Sequence, residues 1–101
     1  MKEKQGNKRR YIIKESKAYR KDIRRLAKSG FYLEKLDTVI DLLASGKILG
    51  GAYRDHALKG KLVGIRECHI EPDWLLLYQL DEGQLVLLLV RTGTHAKMLH
   101  E

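Results

Sequence analysis

The feature that most restricts the fold is a change of hydrophobic period in mid-chain. Between residues 16 and 46 apolar side chains recur every three or four positions, whereas from residue 62 onward they alternate or run continuously over short stretches. Tyr19, Ile23, Leu26 and Ala27 form one helical stripe with Lys and Arg between them. Leu33, Leu36, Val39, Ile40 and Leu43 form a second, opposed by Glu34, Lys35, Asp37 and Asp41. Ser16 is placed to cap the first helix, because its hydroxyl can accept from an unpaired first-turn amide, and Gly30 and Gly46 stand where each helix should stop. Two helices with a tight Gly-containing connection make an antiparallel hairpin whose stripes must be covered by another layer.

Strands supply the cover. Tyr11, Ile12 and Ile13 are a brief β-favouring run; Val63, Ile65, Glu67 and His69 alternate with Leu62, Gly64, Arg66 and Cys68. Glu71, Pro72 and Asp73 read as a turn, residues 74–80 as a nearly continuous apolar strand, and Asp81, Glu82 and Gly83 as a hairpin loop. Residues 85–91 are apolar on both faces and so read as a central strand, while Thr94 can cap a short helical turn running through Lys97 to Leu99. Residues 47–61, with Gly50, Gly51 and Gly60, show no period and read as a linker. The expected fold is α+β, in the order β-α-α-β-β-β with a short C-terminal helical turn. A helical hairpin packs on a small, mainly antiparallel four-stranded sheet.

A chain of 101 residues supports one core, and residues 11–101 are expected to form a single domain. Residues 1–10 are polar and aperiodic and read as a flexible basic arm. The net charge of +7 is uneven: the first thirty residues hold twelve basic and three acidic side chains. Such a field attracts polyanions, so nucleic acid is the expected partner, with Arg24, Arg25 and Lys28 of the first helix as phosphate contacts. Cys68 is the only cysteine, which rules out an internal disulfide and favours a reducing compartment. With no apolar run long enough to span a bilayer, a cytoplasmic protein that uses no membrane is expected.

Chemistry points to the last half. His56, His69 and His95 are placed around the predicted sheet, and imidazole both takes and gives protons near neutral pH. His69 and Asp73 flank one turn, and the hairpin after residue 80 should bring Asp73, Trp74 and Arg91 together with His95 close behind. Cutting RNA without a metal needs a base for the 2′-hydroxyl, an acid for the departing 5′-oxygen and a cation for the phosphorane-like transition state. Two histidines and Arg91 match those roles, a carboxylate such as Asp73 can orient an imidazole, and Trp74 can stack on a base or seal the core. The histidines are widely separated and none lies one helical turn from another, so neither a metal nor a cofactor is expected.

The blocks RDHALKG, RECHIEPDW and LVRTGTHAKML, in that order after a basic helical hairpin, resemble the YafQ-type toxins of the RelE/ParE superfamily, the endoribonucleases of type II toxin–antitoxin modules. The resemblance covers residues 11–99. It implies a RelE-like fold and a toxin that enters the ribosomal A site, cuts mRNA there and so inhibits translation. By matching positions it implies that His56 and His69 are needed for cleavage, that Asp73 is the acidic catalytic residue with Trp74 as its aromatic neighbour, that Arg91 stabilises the phosphate and that His95 is the general acid. Leu99 stands where relatives often carry an aromatic that stacks on a nucleotide, and it offers no π-face. The resemblance also implies a cognate antitoxin, usually a ribbon-helix-helix dimer, with operator DNA reached only through the antitoxin complex. Two other functions fit the same scaffold: a gyrase-inhibiting toxin and a non-catalytic RNA-binding module.

Overall fold

The structure is a computed structural model that describes residues 9–99, without the side chains of Lys97 and Leu99. The predicted arm over residues 1–8, and the expectation for the Leu99 side chain, lie outside what it describes.

Strand β1, Ile12–Glu15, leads into helix α1, Lys17–Lys28, and helix α2, Leu33–Ala44. The Ser16 hydroxyl accepts from the Tyr19 amide at 2.9 Å and donates to the Val90 carbonyl at 2.7 Å, so the predicted cap also ties α1 to the sheet. Both helices end as expected on glycines of positive φ, Gly30 at 82° and Gly46 at 79°. There Phe31 N–H returns to the Leu26 carbonyl and Lys47 N–H to the Leu42 carbonyl, closing each last turn.

After α2 come β2, His56–Ala57, then β3, Arg66–Glu71, β4, Trp74–Asp81, β5, Val86–Gly93, and helix α3, His95–Leu99. The sheet has five strands in the order β1-β5-β4-β3-β2; β1 runs parallel to β5 and the other neighbours are antiparallel. The four-strand expectation is therefore one short. The extra strand is β2, inside the predicted linker, and residues 62–65, expected to open β3, lie outside it. β5 is central, as its two apolar faces implied.

The helices cover one sheet face. Tyr19 and Leu26 of α1 and Leu36, Val39 and Leu43 of α2 are buried with Cys68, Trp74, Leu76, Tyr78, Leu87 and Leu89. Ala27, expected on the first stripe, is exposed. Burying apolar side chains of this size stabilises by about 1.5–3 kcal/mol each, which makes this layer the main source of stability. A bulge sits where Leu77 pairs with Arg91 and Tyr78 with Leu89, leaving Val90 extra. It resets the alternation in β5, so the buried positions run Leu87, Leu89, Thr92 rather than Leu87, Leu89, Arg91.

Candidate active site

Directly opposed residues of neighbouring strands share a face. The register sets His56 opposite Glu67 and Glu67 opposite Leu77, and sets His69 opposite Leu75 and Leu75 opposite Gly93. In β3 Cys68 and Ile70 face the buried helix side, so Glu67 and His69 point to the other face. That face therefore carries His56, Glu67 and His69, and α3 rises beside it with Met98 lying against Gly93.

Three of the expected groups meet here. The His69 and His95 rings stand 5.9 Å apart between centroids. Asp73, in the turn between β3 and β4, is 3.1 Å from Nδ1 of His95 and also takes the His95 backbone amide at 3.4 Å. Nδ1 of His69 lies 3.3 Å from the Pro72 carbonyl. A carbonyl only accepts, so Nδ1 donates and Nε2 is left with its lone pair. The same reasoning with the Asp73 carboxylate turns Nε2 of His95 outward. His95 and Asp73 are 45% and 71% exposed, so this pair is open to a large ligand.

His56 is held differently. Its Nδ1 is 2.7 Å from the Arg54 carbonyl and its Nε2 is 3.1 Å from the Glu67 carboxylate, so both ring nitrogens face acceptors. The preceding Asp55 anchors this strand: its carboxylate accepts from the Tyr78 hydroxyl at 2.6 Å and from Arg66 Nε and guanidinium nitrogen at 3.4 and 3.3 Å. Burial first, and then the hydrogen bond to Asp55, push the Tyr78 phenol above the ordinary tyrosine range.

Arg91 is opposite Leu77, which is opposite Glu67, so the register sets it in the row of His56 and Glu67, while α1 holds its head group. Its guanidinium makes a two-pronged pair with Asp22 of α1, at 2.7 and 3.0 Å, and lines a shallow hollow of about 170 Å3 with Ala18, Lys21, Asp22 and Arg25. The register places Arg91 opposite Leu77, not beside Trp74. The residue that reaches Trp74 is Thr92, whose hydroxyl accepts from the indole N–H at 3.0 Å and donates to the Leu75 carbonyl at 2.7 Å. Trp74 is 2% exposed with its ring edge-on to Phe31, so it seals the core, and the stacking role considered for it has no open ring face. Arg24 and Lys28 are exposed on α1, while Arg25 also bonds Asp22, at 3.3 Å.

Asp22 and Glu67 were missed as site-supporting residues. Asp22 was signalled by an acid three after Tyr19 and four before Leu26, on the apolar stripe itself; Glu67 was signalled by sharing the phase of His69. Among the described residues no three His, Cys, Asp or Glu side chains gather as a metal site.

The family model for YafQ, described as a bacterial toxin of type II toxin–antitoxin systems, matches residues 11–100. The mRNA interferase toxin YafQ of Escherichia coli is 38% identical over 87 residues, spanning 85% of this chain and 92% of that protein. The fold superposes on the crystal structure of the E. coli DinJ-YafQ toxin-antitoxin complex with a TM-score of 0.81, at 37% identity over 88% of this chain and 97% of that one. A metal-bound toxin from Helicobacter pylori gives a TM-score of 0.82 at 43% identity, over 87% and 98% of the two chains. The α+β architecture, the open face with its imidazole pair and the match over nearly the whole folded chain agree: this chain belongs to the YafQ family of type II toxins.

Proposed function

We propose that this chain is a ribosome-dependent mRNA interferase that inhibits translation by metal-independent acid–base cleavage of the message. The observation that carries the reading is the His69–His95 pair, 5.9 Å apart with Asp73 on the inner nitrogen of His95. His69 presents a lone pair and serves as the base that takes the 2′-hydroxyl proton. The freed 2′-oxygen attacks the phosphorus, and protonated His95 gives its Nε2 proton to the leaving 5′-oxygen, producing a 2′,3′-cyclic phosphate and a 5′-hydroxyl. Asp73 orients His95 by holding its Nδ1 and its backbone amide. Arg91, aimed by Asp22, is the cation for the transition state, and His56, fixed at both ring nitrogens, orders the flank of the site rather than moving protons. Arg24, Arg25 and Lys28 follow the RNA backbone.

The DinJ-YafQ relative supports a cognate antitoxin as partner; contact with operator DNA only through that complex is part of the proposal. A cytoplasmic location is part of the proposal; the described residues contain no helix long and apolar enough to cross a membrane.

The test is cleavage of ribosome-bound message with cut positions mapped against the reading frame. His95→Ala should slow cutting by about 10²–10⁴-fold while antitoxin binding and folding are retained. Cleavage should be unchanged by toxin that has been treated with EDTA and freed of it before the assay, the ribosomes keeping their magnesium. A variant that cuts at the parental rate removes His95 from its role, and activity lost by such treatment of the toxin and restored by a transition-metal ion removes the metal-free mechanism.

A further inference from the structure

Beside the imidazole pair lies a cleft of about 420 Å3 walled by Tyr53, Arg54, His69, Ile70, Glu71 and Pro72. We propose that this cleft is the nucleobase subsite for the message nucleotide next to the cleaved linkage, with the Tyr53 ring and the Arg54 guanidinium as its stacking surfaces. The inference rests on the endoribonuclease reading, since the nucleotide concerned is the one whose ribose-phosphate is served by His69 and His95.

His69 fixes the location. It is both a wall of the cleft and one member of the 5.9 Å imidazole pair, so a base seated in the cleft has its own sugar and phosphate at the reacting groups. The volume falls in the range of small-ligand sites: it takes a single base and is too small for an element of a partner protein.

The chemistry of the walls fits the same occupant. Unpaired RNA bases are held by stacking on aromatic rings and guanidinium planes, which every base can do through its π-face. Trp74 and Phe31 are excluded, because they pack on one another within the core layer. Tyr53 is the aromatic on the cleft side. It is half-buried and packed against the core, so it is anchored while still reaching the cleft.

The backbone supplies an independent sign. Arg54 has φ of 50° and ψ of 41°, a left-handed conformation that Gly or Asn adopts more cheaply. The strain is held by neighbouring bonds: Arg54 N–H donates to the Gly51 carbonyl at 3.1 Å, and the Arg54 carbonyl receives Nδ1 of His56 at 2.7 Å. A bulky residue kept in such a state beside a reactive cluster is one whose side-chain direction matters. Here one residue positions His56 through its carbonyl and is itself a wall of the cleft.

The experiment measures single-turnover cutting of ribosome-bound message over a range of toxin concentrations, with cut sites mapped along a long message, for the parent, Tyr53→Phe, Tyr53→Leu and Arg54→Asn. Asn tolerates the left-handed backbone, so Arg54→Asn removes the guanidinium without disturbing the loop. Tyr53→Leu and Arg54→Asn should each raise the half-saturating concentration about tenfold, leave the maximal rate within about twofold and flatten the base preference beside the cut, while Tyr53→Phe behaves as the parent. Parental half-saturation and an unchanged cut map in both variants overturn the subsite. So does a fall in maximal rate alone, which would make the loop a support for His56. If Tyr53→Leu does not fold, Arg54→Asn decides, because Arg54 is exposed. A parent that cuts no message at all defeats the endoribonuclease reading instead.

Discussion

The polar groups around the sheet divide between two regions that are built in opposite ways. Where α1 meets β5, the Asp22 carboxylate, 1% exposed, accepts from Arg91 at 2.7 and 3.0 Å and from the Thr92 amide at 3.1 Å. Thr92 in turn holds Trp74. On the open face, His69, Asp73 and His95 each rely on contacts of 3.1 Å or more and face solvent. Bonds that are short, multiple and buried fix geometry at high energetic stakes, whereas longer contacts open to water leave a group able to exchange partners and protons. The two regions therefore divide scaffold from chemistry, and Arg91 stands at the boundary.

The largest effect that separates them is Asp22→Ala. It leaves the Arg91 guanidinium, 23% exposed, without its carboxylate, and breaking such a pair costs about 3–5 kcal/mol. In a domain of this size each kcal/mol lowers Tm by about 4–8 °C, so thermal melting should shift by at least ten degrees or so. His95→Ala should melt within about 0.5 kcal/mol of the parent. A stable Asp22→Ala protein together with an unfolded His95→Ala protein would reverse the comparison.

On the open face the expected effect is on rate. Asp73→Asn keeps the shape but weakens the hold on His95, and misplacing a catalytic group by a fraction of an ångström to an ångström costs on the order of 10²-fold. Cleavage should fall by about that factor with no change in melting, since Asp73 is 71% exposed. A Tm loss without a rate loss would place Asp73 among the scaffold residues. On the buried side Thr92→Val strips the acceptor from the Trp74 indole and should cost about 1–3 kcal/mol, read by urea denaturation, with cutting of the folded fraction unchanged.

The division also explains what could be read from the sequence. Ser16, Gly30 and Gly46 set the helix ends correctly because capping and left-handed termini are local chemistry. The union of His69, Asp73 and His95 was legible because a Pro-stiffened turn and one hairpin bring them together. Two features of the sheet left no trace. β2 is only His56–Ala57, too short for alternation to be recognised, and its place is set from afar by the bonds among Asp55, Arg66 and Tyr78. The bulge at Val90 shifts the phase of β5 without changing its apolar composition, so Thr92 was not recognised as buried. The carboxylate for Arg91 lies 69 residues away, a distance over which periodicity says nothing.

The smallest expected effect tests how tightly the helix-facing layer is closed. Cys68 is fully buried in β3, one residue from the half-buried His69 on the other face, and burial pushes its thiol up to about 12. The unfolded thiol titrates near about 8.5. Since the folded value is the higher one, the native state holds its proton longer. Stability is then unaffected below the unfolded value and declines as pH rises from there toward the folded one. Unfolding free energy should be flat from pH 6 to 8 and fall above about pH 9 by up to about 1.4 kcal/mol per pH unit for this group, with Tyr19 and Tyr78, both raised by burial, adding to the decline at higher pH. Cys68→Ala should flatten the curve between pH 9 and 10 and leave the later fall in place. An alkylating reagent at pH 7.5 should label Cys68 only at the rate of global unfolding, as slowed hydrogen exchange of the β3 and β4 amides would independently report. Rapid labelling of the native protein would show that the sheet opens to solvent from its helix side as well, and the contrast between a closed scaffold and an open chemical face would fail.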